Sequence, residues 1–201
     1  MKRFFFSVLI FLGVVIVLIA LLMGYLFLKY RGWEKEFNSQ IQTEYVIDRE
    51  VVKSKEFNKK ITQFSLSLED TQFLELNVQE IGSIVLSVLE SYVGEDLEIE
   101  EMYISPSDSL WDIYVKVRYQ DISVWISTDI NKDQIQSAQI YVTDVKIGPF
   151  SISKFNTGWV ELINRGIGDS IVTLNENGLV GRYIENIELR KDGIVLKGSR
   201  Y

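Results

Sequence analysis

The sequence predicts an α+β protein in which an N-terminal transmembrane helix precedes a curved antiparallel sheet, a meander plus a C-terminal hairpin, packed on two helices. Three observations support this fold class. A run of 25 uncharged residues lies near the N-terminus, the region 98–148 alternates between apolar and polar residues, and two further segments carry apolar residues at helical spacing. Alternation is typical of half-buried strands, and apolar residues at helical spacing are typical of amphipathic helices. We therefore expect the sheet and the two helices to share one core.

The uncharged run covers residues 4–28 and is flanked by two basic residues on each side. At about 1.5 Å per residue such a helix is roughly 37 Å long, which exceeds the hydrocarbon core of about 30 Å. A cleaved signal peptide is the alternative, but its apolar region spans only about 7 to 15 residues and ends in a small-residue cleavage site, which is missing here. We therefore expect a single-pass signal anchor preceded by a cytoplasmic N-terminus, residues 1–3.

The part of the chain beyond Trp33 is acidic, with 17 basic and 28 acidic residues and a net charge of −11. This charge disfavours nucleic acid as a partner and disfavours a domain lying flat on anionic lipid. The chain has no Cys and no His, so disulfides, imidazole bases and Cys/His zinc sites are excluded. The lack of disulfides favours a bacterial cell envelope, and the short N-terminus of the anchor favours an extracytoplasmic C-terminal domain on the cell membrane.

After the anchor, apolar residues recur at every fourth position: Trp33, Phe37, Ile41 and Tyr45. This spacing places them on one helical face. It predicts a juxtamembrane stalk over residues 29–60, although the far end of the stalk reads equally well as a strand. The extracytoplasmic domain then covers residues 61–201.

The first part of the domain is predicted to be a strand followed by a helix. Residues 61–68 alternate and end in a turn-forming stretch, which favours a strand. Asn77 followed by Glu80 forms a capping-box pattern, and Gly94 is placed to end the helix. The apolar stripe of this helix comprises Ile81, Ile84, Val85, Val88, Leu89 and Tyr92, and Leu86 lies off the stripe.

The region 111–130 is predicted to be a hairpin. With Gln120 and Asp121 as the turn, three apolar pairs face each other: Tyr119 with Ile122, Val117 with Val124, and Val115 with Ile126. All of these side chains then share one face, and Trp125 and Tyr114 lie on the other. In the next strand the alternation changes phase near Asp144, which indicates either a bulge or a strand that is apolar on both faces. We expect Gly148 and Pro149 to end its pairing.

The last elements are a second helix and a hairpin. Asn156 and Thr157 are candidate helix caps, and Gly166 and Gly168 are expected to weaken the helix midway. Its apolar stripe comprises Val160, Ile163, Ile167, Ile171 and Leu174. Residues 175–178 are expected to close the helix, and residues 179–189 and 194–196 to form the hairpin around Lys191, Asp192 and Gly193.

Three motifs suggest chemistry, but each has a structural explanation. The Gly-Asp-Ser sequence at 168–170 resembles the nucleophile block of SGNH lipases, yet the chain has no His to act as the base. Residues 129–133 match the start of an EF-hand loop but lack its later Gly and Glu. Residues 95–101 hold five carboxylates, which either collect Ca²⁺ or form a solvated strand edge. We therefore predict a non-enzymatic protein without cofactor or metal, and a carboxylate acid and base pair is the remaining enzymatic alternative.

Several segments resemble a known family. The motifs are FSLSL, LNVQEI, VKIGPFSI, ELINRGI and ELRKDGIVLKG. In this order they resemble the YpmS-type family of single-pass bacterial envelope proteins, and in outline they are similar to the tubular lipid-binding modules, in which a long curved sheet wraps around a helix. The resemblance covers most of residues 61–198. The YpmS-type family implies no activity, whereas the tubular modules imply an apolar groove for acyl chains.

The apolar residues exceed what the two helix stripes need, so we expect the domain to bind a lipid or another hydrophobic ligand. The acyl chain would lie between the two helices and the sheet. The residues expected to line this site are Ile81, Val85, Leu89, Trp125, Val142, Ile147, Phe150, Trp159, Ile163 and Ile167. The alternative is a structural or adaptor protein whose sheet docks another envelope protein or a second copy of the chain.

Overall fold

The computed structural model describes residues 2–94, 96–132, 138–154, 157–173 and 182–200, and it divides into two compact units, 1–40 and 41–201. The first unit is a single helix, α1 (Lys2–Gln40). Within Phe11–Gln40, the most apolar 18-residue window has a mean hydropathy of 2.9, and none of its residues is buried. The helix is therefore long and apolar enough to cross a bilayer. It also includes Trp33 and Phe37, whose rings stack with centroids 5.0 Å apart.

The second unit begins at residue 41, so the second half of the expected stalk belongs to it. Its first elements are two short 3-10 turns, Thr43–Tyr45 and Val51–Lys53, followed by helix α2 (Lys55–Leu66). The predicted stalk helix thus ends at Gln40. Residues beyond it contribute to the packing of the folded unit.

The predicted strand over 61–68 is wrong, because most of this segment lies in α2. Ser54 caps the helix by accepting the Phe57 N–H at 3.1 Å. Phe57 and Phe64, seven positions apart, then lie on one helical face and are both buried. Leu66 and Leu68, which the alternation placed on a buried strand face, are 65% and 83% exposed. Helical spacing starting at Phe57 therefore prevails over the shorter alternation.

The α+β class is confirmed, and the strands divide between two antiparallel sheets. The elements after α2 are β1 (Thr71–Asn77), α3 (Val78–Tyr92), β2 (Leu97–Ser107), β3 (Leu110–Tyr119), β4 (Ile122–Lys132), β5 (Ile140–Ile147), β6 (Phe150–Ser151), α4 (Gly158–Thr173), β7 (Arg182–Arg190) and β8 (Gly193–Arg200). The five-stranded sheet has the order β2-β3-β4-β5-β6, and the three-stranded sheet has the order β1-β8-β7.

The predicted register of the β3–β4 hairpin is confirmed. All three expected pairs are present: Tyr119 with Ile122, Val117 with Val124, and Val115 with Ile126. The turn residue Gln120 has φ 54, in the left-handed region. The predicted bulge is also confirmed, because the register of β4 with β5 shifts so that residues 143 and 144 lie opposite Asp129.

The chain after β5 differs from the expectation that pairing ends at Gly148. It reverses there, and Ile147 pairs with Phe150 in the short strand β6. Gly148 has φ 53, which glycine adopts without strain. Its N–H donates to the carbonyl of Trp125 at 2.9 Å, so the turn is held against β4.

The capping box of α3 is confirmed: Asn77 accepts the Glu80 N–H and the Glu80 carboxylate accepts the Asn77 N–H, both at 2.9 Å. The predicted apolar stripe is only partly right. Leu86, placed off the stripe, is 1% exposed, and Val88, placed on it, is 49% exposed. Helix α3 is therefore covered on more than one side.

The additional cover of α3 comes from residues 44–53. A Cβ on Gly82 would lie 2.3 Å from Cδ1 of Ile47, so only glycine allows this approach. The Ser83 hydroxyl donates to the Arg49 carbonyl at 3.1 Å and accepts the Val52 N–H at 3.3 Å. This irregular segment thus packs along α3 and buries it.

Helix α4 runs through Gly166 and Gly168 without a break. The Thr157 carbonyl accepts the Glu161 N–H at 3.2 Å. The expected cap Asn156, the stripe residue Leu174 and the closing turn lie outside the described residues. The C-terminal hairpin is confirmed as β7 and β8 around the turn at 191–192.

Candidate functional site

The inner face of the five-stranded sheet, the face that packs on the core, changes from buried to exposed along its length. Residues opposite each other on paired strands share a face. At one end, Trp111 and Val142 lie in a row through Ile130 and are 1% and 2% exposed. At the other end, Leu97, Tyr119 and Ile122 form a row and are 42%, 50% and 66% exposed.

The rows between these two ends are apolar as well. Val117 pairs with Val124, and Val115 pairs with Ile126, and all four are partly buried. A bulge in β2 between Ile99 and Glu101 keeps Leu97 on the inner face. We call the following residues the open end: Leu97, Val117, Tyr119, Ile122, Val124 and Ile126.

The open end is a candidate site that sequence reasoning missed. The alternation placed Tyr119, Ile122 and their neighbours on the core face, which is correct. The alternation did not indicate that these residues, at the end of the face, are exposed. The only available signal was the continuation of the apolar alternation up to the charged turn at Gln120 and Asp121.

The predicted ligand-lining residues fall into three groups. Ile81, Val85 and Leu89 of α3 are partly buried against the main core cluster, and Val142 is buried. Ile147 and Phe150 are partly buried and continue the row of Ile126 across the sheet. Ile163 and Ile167 are partly buried on α4, which also carries Trp159, whose side chain is outside the described part. Of these groups, only the second shares a row with a residue of the open end, Ile126.

Asn164 fixes α4 to the edge of the five-stranded sheet. Its Oδ1 accepts the Val142 N–H at 2.7 Å, and its Nδ2 donates to the Val142 carbonyl at 2.9 Å. Ile171, one further residue of the α4 stripe, packs against the main core cluster. Helix α4 therefore lies on the inner-face side of β5 and covers part of that face.

Trp125 lies on the opposite, outer face of the sheet, because it pairs with Lys116 and alternates with Val124 and Ile126. It is 1% exposed, and Lys116 Nζ lies 5.8 Å from its ring centroid. Trp125 therefore does not line a groove on the inner face. Its burial also removes it from any surface that a partner would contact.

Ion pairs cover much of the outer face. Arg118 contacts both Glu98 and Glu100, and Lys116 lies 3.7 Å from Glu100. Further along the sheet, Lys146 Nζ lies 3.9 Å from a carboxylate oxygen of Asp129 and 3.9 Å from one of Asp144. This face is a charged surface, in contrast to the inner face.

On this side of the sheet, the pKa values of Tyr114, Asp112 and Asp144 are among those that the surroundings shift. Burial raises the pKa of Tyr114 to about 12, aided by the charge of Asp112. Burial also raises the pKa of Asp112, while Lys146 opposes that shift. For Asp144, burial acts to raise the pKa. Hydrogen bonds from the hydroxyls of Ser153 and Ser151, together with the charge of Lys146, outweigh burial and lower the pKa overall.

The described residues show no metal centre: no three or more Asp or Glu side chains among them converge as ligands. Asp129, the first position of the EF-hand-like sequence, lies inside β4, and its carboxylate accepts a hydrogen bond from the Thr143 hydroxyl. The end of that sequence, Asp133, is outside the described part. Gly168, Asp169 and Ser170 lie inside α4, so they do not form the exposed turn of a nucleophile.

A second candidate surface lies between α2 and β1. It is a cleft of about 820 Å³ lined by Lys55, Asn58, Lys59, Thr62, Gln63, Leu66, Ser67 and Gln72. Sequence reasoning missed it, because residues 61–68 were predicted as a strand and residues 72–76 were assigned to no element. The cleft contains two positive charges and several amide and hydroxyl groups, whereas the folded unit as a whole is acidic.

Comparisons with known proteins identify no relative. No protein-family model, curated protein or solved structure matches the chain. The resemblance to the YpmS-type family and to the tubular lipid-binding modules therefore stays a prediction. A function has to be argued from the α+β fold, the open end and the cleft between α2 and β1.

Proposed function

We propose that this chain is a membrane-anchored, non-enzymatic protein whose folded unit binds an acyl chain or another hydrophobic ligand at the open end of the inner face. One observation carries the proposal. A single apolar face continues in unbroken register from Trp111, which is 1% exposed, to Ile122, which is 66% exposed. Contiguous exposed apolar surface of this kind marks binding sites in soluble domains.

An acyl chain suits this surface better than a polar ligand. Val117, Val124 and Ile126 offer aliphatic side chains and no charge. Each buried methylene contributes about 0.8 kcal/mol. A segment of about five methylenes lying along these rows would therefore contribute about 4 kcal/mol before the entropy of binding is subtracted.

Charged side chains around the open end determine which lipid headgroups the site prefers. At the rim of the open end, Asp96 precedes Leu97 and Asp121 precedes Ile122, and both line a cleft of about 610 Å³ that continues onto the outer face past Glu98 and Glu100. Its one basic residue, Arg118, is already paired with acidic side chains. Because an acidic rim repels anionic headgroups, we expect zwitterionic or neutral lipids to be preferred over anionic ones.

The anchor supports a site close to lipid. Helix α1 is long and apolar enough to span a bilayer, and we propose that it holds the folded unit at the extracytoplasmic face of a bacterial cell membrane. Because the chain has no Cys, Leu68→Cys at an 83% exposed position gives a single reporter. A membrane-impermeant maleimide is expected to label it in intact cells, and labelling only after lysis would overturn the extracytoplasmic placement.

Photo-crosslinking tests the site. A benzophenone amino acid replaces Ile122, and in a matched control it replaces Phe73, a 58% exposed apolar residue of β1. The full chain is placed in bilayer nanodiscs that contain radiolabelled phosphatidylethanolamine. We expect lipid label at position 122 at several times the level at position 73, and Val124→Asp should reduce it.

Equal labelling at the two positions, or none, would exclude a lipid site at the open end. Repeating the experiment with radiolabelled phosphatidylglycerol tests the headgroup argument separately, since stronger labelling by the anionic lipid would contradict the role of the acidic rim.

Docking of another envelope protein or of a second copy is the second candidate. It is favoured by the exposure of Tyr119, 50%, because tyrosine is enriched where proteins bind each other. On this hypothesis the benzophenone at position 122 links the chain to protein instead of lipid. Light scattering of the full chain would then show a dimer or a larger complex that Tyr119→Ser disrupts.

A further inference from the structure

Covering contacts protect three of the long outer strands of the two sheets. At β2, Val46 bridges to Tyr103, and the Ile47 N–H donates to the Met102 carbonyl at 2.9 Å. At β5, strand β6 pairs with one half of the edge and Asn164 bonds the main chain of Val142 in the other half. Covered edges of this kind prevent other chains from pairing with the sheet.

Strand β7 is covered at its hairpin end. The outward Leu189 carbonyl accepts the Ser109 N–H at 3.3 Å, and the Arg190 carbonyl, on the side facing β8, also accepts the Trp111 Nε1–H at 3.0 Å. Ser109 lies in the turn between β2 and β3, and Trp111 lies in β3. These contacts join the end of β7 to the five-stranded sheet.

Strand β1 is the exception. The Arg200 N–H donates to the Asp70 carbonyl at 3.0 Å, which sets the alternation: even-numbered residues of β1 bond to β8, and the N–H and C=O groups of Thr71, Phe73 and Glu75 point away from it. In the part of the chain that the structure describes, no group hydrogen-bonds to these outward main-chain atoms. Phe73, at the centre of this edge, is 58% exposed.

Helix α2 packs beside this strand, with Phe57 and Phe64 against Leu74 and Leu76. The cleft of about 820 Å³ lies between the exposed side of α2 and Gln72.

Two lysines line the cleft. Lys55 and Lys59 are one helical turn apart, are exposed, and form no ion pair with any described residue. The next lysine, Lys60, by contrast, is paired with Glu80 at 2.8 Å. The cleft thus places two uncompensated positive charges beside Gln72 of β1, the neighbour of Thr71 and Phe73 on the unpaired edge.

We infer that the edge of β1 binds an extended acidic segment of a partner protein by strand addition. Main-chain groups of the segment pair with Thr71, Phe73 and Glu75, and its alternate side chains face α2. Lys55 and Lys59 are about 6 Å apart along the helix axis, and alternate residues of a strand are about 6.8 Å apart. Two carboxylates separated by one residue therefore match the two lysines. Main-chain pairing supplies affinity and the lysines select the sequence.

This site is separate from the open end, so the inference does not depend on lipid binding. The probe is a set of fluorescent heptapeptides with Asp or Glu at alternate positions and Val or Thr between them, titrated onto the full chain in detergent. A matched set has Lys at the acidic positions. We expect the acidic set to bind and the lysine set not to bind, and binding by no member of the acidic set would overturn the proposal.

Two kinds of variant locate the site. Lys55→Glu combined with Lys59→Glu is expected to weaken binding at least tenfold, while the same charge change at Lys154 and Lys191, both exposed, should leave it unchanged. Phe73→Pro removes one outward N–H without removing a bond to β8, so it should fold and abolish binding. An N-methylated peptide tests the same pairing without altering the protein.

Hydrogen exchange gives the decisive readout. The amides of Phe73 and Glu75 are expected to exchange quickly in the free chain and at least tenfold more slowly with peptide bound. Binding without this protection contradicts strand addition. A dimer in light scattering that Phe73→Pro dissociates would assign the edge to a second copy and would also overturn the acidic-segment proposal.

Discussion

The two ends of the inner face of the five-stranded sheet carry similar side chains in opposite surroundings. At one end, Trp111 lies in the core and donates to the Arg190 carbonyl at 3.0 Å. At the other end, Tyr119 and Ile122 lie on the same face and are at least half exposed. The first end is buried in the main core cluster and the second is exposed. The pattern of alternation therefore determines which face a side chain is on, and the packing of other elements determines whether that face becomes core or surface.

The largest expected effect is a difference in the free energy of unfolding between variants at the two ends. Trp111→Ala should cost about 3 to 5 kcal/mol, because it leaves a cavity and an unpaired Arg190 carbonyl. Tyr119→Ala should cost less than about 1 kcal/mol, since the residue is half exposed already. Urea unfolding of the full chain in detergent, followed by far-ultraviolet circular dichroism, measures both. Equal losses at the two positions would refute the contrast.

An intermediate effect tests how α4 is held over the covered part of this face. Asn164→Leu removes both hydrogen bonds to the Val142 main chain, so we expect a loss of about 1 to 3 kcal/mol and faster hydrogen exchange at the Val142 amide. The exposed neighbour Arg165→Leu is the control and should change neither quantity. If Asn164→Leu leaves the exchange of Val142 unaltered, Asn164 does not protect this edge.

The smallest expected effects concern the charged outer face, where two carboxyl groups should change how the free energy of unfolding depends on pH. Folding raises the pKa of Asp112, chiefly by burial, so its carboxylate destabilises the fold as pH rises through that pKa. Asp112→Asn should therefore be more stable than the wild type at pH 7, with the gap closing at about pH 3.

The carboxylate of Asp144 has the opposite effect on the stability of the fold. Although burial acts to raise its pKa, hydrogen bonds from Ser153 and Ser151 lower it overall, and the ionised group stabilises the fold above its unfolded pKa. Asp144→Asn should be less stable at pH 7, and the difference should vanish as pH falls. Both changes are expected to be below about 1 kcal/mol because the side chains are partly solvated. Denaturation midpoints measured from about pH 3 to 7 would contradict this if the two variants shifted in the same direction.

The features that the sequence predicted correctly are set by local patterns. The register of Val115 to Tyr119 against Ile122 to Ile126 follows from alternation and one turn. The capping box of Asn77 and Glu80 needs only neighbouring residues. The bulge near Asp144 appears as a change of phase within one strand.

The failures have a common physical cause, which is cover supplied from elsewhere. Leu86 is buried because the irregular segment 44–53 packs on α3, and no periodicity in that segment reveals it. Trp125 looked surplus on a polar face but is 1% exposed. The helix α2 was missed because Ser54, its cap, lies several residues before the alternating stretch that suggested a strand.

The lining of the candidate site stays a prediction. Ile147, Phe150, Ile163 and Ile167 were expected beside a groove, and all four are partly buried. The exposed row through Tyr119 was expected on the core face. Its exposure depends on where the helices end in space, which single-sequence patterns do not encode.

The pairing of β1 with β8 has a consequence for how the chain folds. Thr71 lies opposite Ser199, so the strands of one small sheet are separated in sequence by nearly all of the second unit. Pairings this distant are slow to form, because a long loop must close before they are stabilised. A growing chain therefore exposes Leu74 and Leu76 on an unpaired strand throughout most of its synthesis. Completion of the three-stranded sheet is the step at which we expect folding to stall, and the interval before it is when chaperones would act on this protein.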